Sequence, residues 1–234
     1  MENEHDSDLE FRVLGQIKVV RDSMEELTMG PKQAALLALL LIHTGKVVST
    51  DHLLEALWPG VDGDKARRTL WAHVSKLRKA LAPGIDPDSS AQPLSTAEDL
   101  VSEARRSASN PEQSAELLKT ALGLWRSRPY EDVFYEEFAQ GEIRRLEELR
   151  LEAIEDRIGA DLALGRQREV IAEIESLVES HPLRERLWEL LMLAQYRSNR
   201  QTDALRSYQR LRRRLEEELG LSPSPQLQRL EAQL

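Results

Sequence analysis

The residue types best suited to chemistry lie between Gly60 and Leu81. Lys65, Arg67, Arg68, Lys76, Arg78 and Lys79 stand there against only Asp62 and Asp64. The chain as a whole has 32 Lys and Arg against 41 Asp and Glu, so this stretch is a cationic patch on an acidic body. Ammonium and guanidinium groups neutralise phosphates, and the paired donors of Arg match the O6 and N7 edge of guanine. Leu70, Val74, Leu77 and Leu81 keep a 4-3-4 spacing, which places them along one side of a helix. Lys65, Arg68, Ala72, Ser75, Lys76 and Lys79 then fall on the opposite side, flanked by Thr69, Trp71 and Arg78. Arg68, Thr69 and Ser75 are the candidates for base edges, and the lysines for phosphates. An ordinary solvated helix face also carries Lys and Arg, so charge alone leaves both readings open. Trp71, beside Arg67 and Arg78, reads as cover for a domain seam ahead of base contact. His73 reads as a packing or phosphate-contacting residue.

Other chemistries find little support. With no cysteine, the chain has no disulfide, no Cys-ligated zinc or iron–sulfur cluster and no thiol nucleophile. His5, His43, His52, His73 and His181 are scattered, without metal-ligand spacing. There is no G-x-S-x-G, H-E-x-x-H or G-x-x-x-x-G-K-[ST]. Gly30-Pro31-Lys32 lacks the glycine spacing of a phosphate loop. Acidic runs such as Glu216–Glu218 read as solvated helix faces. The expectation is a non-enzyme with no metal and no cofactor.

The elements that must position the cationic helix are legible upstream. Phe11, Val13, Ile17 and Val19 alternate with polar residues over 9–29, as in short strands broken at Gly15, with Leu27–Met29 as a third. Pro31 opens a Leu-rich helix to about 43, apolar on several sides and therefore buried. Ser49-Thr50-Asp51 offers caps for a brief helix to Trp58, and Asp64 is the expected cap of the cationic helix, 64–81. Strands, two scaffold helices, a turn and a basic amphipathic helix follow helix-turn-helix order, with the last helix entering the major groove.

Residues 83–96 form a Pro/Asp/Ser linker. Beyond it the pattern predicts helices at 97–108, 112–127, 134–164, 167–180, 184–198, 201–219 and from 224. A shift of 34 superimposes Ile154 on Trp188, Leu162 on Tyr196, Gly165 on Asn199, Val170 on Ala204, Ile174 on Tyr208 and Leu177 on Leu211. That period is the tetratricopeptide one, and the Gly/Asn pair falls at a turn that favours a left-handed residue. Stacked hairpins of this kind present a groove to a partner helix or peptide, or simply form a self-contained bundle. The longest apolar run, Ala34–Ile42, is far short of the ~20 residues a membrane span needs. The acidic start, Met1–Asp8, lacks an export signal's basic and apolar regions. The reading expects a cytoplasmic, nucleoid-associated protein with no membrane partner.

These residues together resemble the Streptomyces antibiotic regulatory protein (SARP) family of transcriptional activators. The likeness rests on Phe11-Arg-Val-Leu-Gly15, Gly30-Pro-Lys-Gln33, Asp51-His-Leu-Leu-Glu-Ala-Leu-Trp58, Ala66-Arg-Arg-Thr-Leu70, Val74-Ser-Lys-Leu-Arg78 and Ala80-Leu81. It continues in Leu146-Glu-Glu-Leu-Arg150, Asp161-Leu-Ala-Leu-Gly165, His181-Pro-Leu-Arg-Glu185, Glu218-Leu-Gly220 and Ser222-Pro-Ser-Pro225. The resemblance implies a mainly α chain. Residues 9–82 would form an OmpR-like winged-helix DNA-binding domain with a small N-terminal β-sheet. The linker would be 83–96, and 97–234 a tetratricopeptide-like bacterial transcriptional activation domain. It implies binding of double-stranded DNA at promoter direct repeats of antibiotic and other secondary-metabolite genes, and recruitment of RNA polymerase. Lys65, Arg68, Thr69, Trp71, Ser75, Lys76 and Lys79 would serve the recognition helix, with Lys32 and Thr50 on the DNA backbone. A homodimer or a related regulator would be a further partner. The chain departs from the family where Leu81 passes straight into the linker, so the wing hairpin is expected to be reduced or absent. A wingless regulator acting through protein contacts of its helical half is the alternative reading.

Overall fold

The computed structural model describes residues 9–21, 25–81 and 95–234. They form two compact units, one of residues up to Asp99 together with Ala121–Arg150, the other of Leu100–Thr120 together with Leu151–Leu234.

The first unit begins with an antiparallel sheet in the order β1 (Leu9–Arg12), β2 (Lys18–Arg21), β3 (Glu25–Glu26). Phe11 pairs with Val19, and the alternation sends both side chains into the core. The third strand pairs one step earlier than the apolar run Leu27–Met29 suggests. Val20 lies opposite Glu26, and Leu27 only donates its N–H to the Val19 carbonyl at 2.9 Å before the chain turns away. Three helices follow: α1 (Pro31–Ile42), α2 (Thr50–Leu57) and α3 (Gly63–Leu81). Pro31 occupies the first turn of α1, where a missing N–H costs nothing, and Gln33 Oε1 accepts from the Gly30 N–H at 3.1 Å. Ala34 to Leu39 are all buried, as an all-round apolar helix requires.

The segment 121–150 completes this unit's core. Trp125, Tyr130, Val133, Ala139, Ile143 and Leu146 are buried in one cluster with Phe11, Val13, Leu36 and Leu70. Main-chain bonds fasten it to the β1–β2 loop. Arg126 N–H donates to Leu14 O at 2.9 Å, Tyr130 N–H to Val13 O at 2.8 Å and Glu131 N–H to Gly15 O at 3.2 Å. The Asp132 carboxylate accepts from the Ile17 N–H at 2.6 Å. Gly15 sits at φ +142°, where a Cβ would come within 3.0 Å of Ser127 Oγ. Glycine is therefore required there for both backbone and packing reasons. The expected helix at 134–164 starts late, since Glu131–Val133 and Glu137–Ala139 are short 3-10 turns.

Beyond α3 the described residues form α4 (Ser95–Arg106), α5 (Pro111–Gly123), α6 (Gln140–Ala163), α7 (Gln167–Ser180) and α8 (Glu185–Arg197). Two more, α9 (Gln201–Leu219) and α10 (Pro225–Gln233), end the chain. In the second unit, Ile158, Leu162, Ile174, Trp188, Leu191, Tyr208 and Leu211 are among the residues sharing one core. The repeat is visible in the backbone. Gly165 and Asn199, 34 positions apart, have φ +76° and +60°. The following N–H of Arg166 reaches Asp161 O at 2.9 Å, and that of Arg200 reaches Gln195 O at the same distance. Both are the six-to-one bond of a Schellman stop. Leu162 and Tyr196 break the equivalence, the first buried and the second 43% exposed.

The wing expected to be reduced or absent falls at 82–94, outside the described residues. Among the described residues no strand follows α3.

Candidate nucleic-acid interface

The α3 helix is held from one side only. Ala66, Leu70, Leu77 and Leu81 are buried, and Val74 is half-buried. Asp62 caps its start, accepting from the N–H groups of Asp64 at 3.1 Å and Lys65 at 3.2 Å. The cap is thus Asp62 in place of Asp64, because Gly63 joins the helix and moves the boundary back by two residues. At the far end Arg21 of β2 donates to the Ala80 carbonyl at 2.8 Å, occupying one of the last orphan acceptors. Arg67 lies 3.4 Å from Asp51 of α2. Underneath, His73 stacks on Trp58 with ring centroids 5.8 Å apart, and its Nδ1 is buried. Burial and the charges of Lys76 and Lys32 push the His73 pKa below its ordinary 6.5, so this ring is a neutral packing element.

The opposite side faces solvent. Lys65, Arg67, Arg68, Trp71, Ala72, Ser75, Lys76, Arg78 and Lys79 are all exposed. Among the described residues, Lys65, Arg68, Lys76, Arg78 and Lys79 have no ion-pair partner. Thr69 is half-buried, and its hydroxyl donates back to the Lys65 carbonyl at 3.0 Å, which leaves its oxygen as an acceptor. Trp71 is 54% exposed, so it does not cover a seam. Its position on the wheel, outside the Leu70–Leu77 stripe, keeps it off the scaffold.

The two residues assigned to the DNA backbone lie off this helix. Lys32 of α1 donates to the Leu57 carbonyl at 2.9 Å and rests 5.8 Å from the Trp58 ring centroid. One of its three N–H bonds is therefore used to close α2, leaving two for a phosphate. Thr50 is half-buried in the first turn of α2, whose cap is Ser49, accepting from the His52 N–H at 3.2 Å. Asp62 and Arg21 are the residues that sequence reasoning missed. Asp62 is signalled by its place ahead of Gly63-Asp64-Lys65, an Asx cap pattern. Arg21 carries no local signal, since its target is 59 residues away.

No group of three His, Cys, Asp or Glu among the described residues is placed to hold a metal ion. Nor is any helix among them long and apolar enough to cross a membrane.

Comparison with known proteins aligns with this geometry. Residues 24–97 match the family model "Transcriptional regulatory protein, C terminal", and 94–234 match "Bacterial transcriptional activator domain". The chain is 39% identical to the regulatory protein AfsR of Streptomyces coelicolor, over all of this chain and 25% of that protein. That alignment runs over 246 positions against the 234 residues here, so the relative carries residues that this chain lacks. Identity to the transcriptional regulator RedD of S. coelicolor is 33%, over 97% of this chain and 70% of RedD. The solved structure of Mycobacterium tuberculosis EmbR, in complex with a low-affinity phosphopeptide, superimposes with a TM-score of 0.87 at 32% identity. It covers 97% of this chain and 65% of EmbR. The chain thus spans about a quarter of AfsR and somewhat under two thirds of EmbR.

Proposed function

Because the chain belongs to the SARP family of transcriptional activators, we propose that it binds double-stranded DNA at direct repeats through the exposed face of α3. In this reading it raises transcription of antibiotic and other secondary-metabolite genes by recruiting RNA polymerase. Residues 9–82 supply DNA binding and 97–234 the activating contacts, with 83–96 between them. Two copies side by side would occupy two repeats, in the cytoplasm at the nucleoid. No catalytic step is assigned to it.

The observation that supports this most is the gathering of unpaired cations on one helix, α3. Arg105 is held by Glu152 and Asp156 at 2.7 and 2.8 Å, and Arg184 by Glu155 at 2.7 Å. Arg157 is held by Asp161 at 2.9 Å and Arg166 by the same carboxylate at 3.0 Å. Many cations elsewhere are thus held by acids, and exposed ones without an ion-pair partner among the described residues, such as Lys119, Arg144 and Arg168, stand on separate helices. The α3 face keeps five cations without such partners, and a polyanion is the ligand that fits them. That asymmetry favours DNA contact over a regulator acting through protein contacts alone.

The test is a fluorescence-anisotropy titration onto a duplex with direct repeats from the gene neighbourhood, beside a shuffled duplex. If four cations meet phosphates, affinity falls about 100-fold between ~50 and ~200 mM salt. Preference for the repeats with that salt response supports the reading, and equal affinity for the shuffled duplex refutes it.

A further inference from the structure

Resting on that reading of α3, we infer that Trp71 is a sequence-determining residue that reads the 5-methyl group of a thymine in the major groove. Trp71 is the one large apolar side chain on the solvent side of this helix among the described residues, and it is 54% exposed. An indole on an otherwise cationic face has no packing reason to be there. Leu70 and Leu77 already fill the scaffold side at 1% and 4% exposure. At ~100° per residue, Trp71 points about 60° from Arg68 and about 40° from Ser75. Both neighbours are exposed and polar, so the ring stands beside the row that would face base edges, while Lys65 and Lys76 lie about 60° and 80° beyond Arg68 on the other side.

The charge around the ring selects its occupant. Arg78, without an ion-pair partner among the described residues, lies two turns after Trp71, and Arg67, 3.4 Å from Asp51, one turn before it on the same flank. A surface bordered by guanidinium groups repels another basic surface and attracts a phosphate-lined groove. In that groove the apolar feature presented by a base pair is the thymine methyl. A polar side chain at 71 would gain no contact from it, whereas an indole covers it and removes both from water.

Replacing deoxythymidine by deoxyuridine deletes this methyl and leaves the Watson–Crick and phosphate groups in place. We would scan such replacements through each repeat and measure affinity for the full chain, for Trp71→Phe and for Trp71→Gln. Wild-type protein should lose about fourfold per repeat at one thymine, the worth of one buried methyl. Trp71→Phe should keep a reduced sensitivity at that position, and Trp71→Gln should show none there while still preferring the repeats to a shuffled duplex. Wild type and Trp71→Gln responding alike at every thymine would overturn the inference and leave the proposed DNA contact standing. No preference for the repeats by wild type would overturn both.

Discussion

Gly15→Ala tests the attachment of the segment 121–150 to the N-terminal strands. At φ +142° the glycine occupies a region that an L-residue rarely adopts, costing about 1–3 kcal/mol. The added Cβ would also stand 3.0 Å from Ser127 Oγ, 3.3 Å from Arg126 Cβ and 3.4 Å from Ser127 N. Ser127 Oγ can rotate, but the other two belong to the backbone and its nearest carbon. Pushing them away strains the Arg126–Leu14 and Tyr130–Val13 main-chain bonds. Together these effects predict a loss of about 2–4 kcal/mol. Gly45→Ala is the internal control, with φ +77° and nothing within 4 Å of the new Cβ. It should lose only about 1–2 kcal/mol from its left-handed backbone. Urea unfolding of both variants, at equal m-value, reads the difference. Equal losses in the two would refute the close approach of 126–127 to the β1–β2 loop.

Three further outcomes follow from the same geometry. Asn199→Gly should be neutral or gain a few tenths of a kcal/mol, whereas Asn199→Val should lose about 1–2 kcal/mol, because only the first suits a left-handed stop; thermal melts separate them. Arg184→Met removes the partner that holds Glu155, a side chain only 7% exposed, at 2.7 Å; stability should fall by about 3–5 kcal/mol, and Glu155→Gln in the same chain should recover part of it. His73 binds a proton less readily folded than unfolded. Its contribution is therefore complete above the ordinary 6.5 and is lost as pH falls through its lowered value. Urea midpoints between about pH 7.5 and 5.5 should drop less in His73→Phe than in wild type.

The helical half was largely legible because its signals are local. The expected bounds 167–180 and 201–219 coincide with α7 and α9, and the Gly165/Asn199 pair marks both left-handed stops. Hydrophobic spacing likewise placed Leu70, Leu77 and Leu81 of α3 in the core and its cations outside. What escaped the sequence is non-local. The 121–150 segment is bound to the first unit through main-chain groups of Val13, Leu14 and Gly15, which leave no trace in side-chain periodicity. Arg21 reaches Ala80 in the same way. At Trp71 residue type suggests seam cover, and the structure leaves the ring 54% exposed. Its angular distance from Leu70 and Leu77 already argued for exposure.

The most direct test of the central claim compares Arg68→Ala and Lys76→Ala on the repeat duplex and its single-base variants across a salt series. If the α3 face meets DNA as proposed, Lys76→Ala weakens all duplexes alike and reduces the salt slope by about 0.9. Arg68→Ala costs about 1–3 kcal/mol on the repeats and relaxes preference at one base pair. Both variants binding and discriminating as wild type does would contradict it.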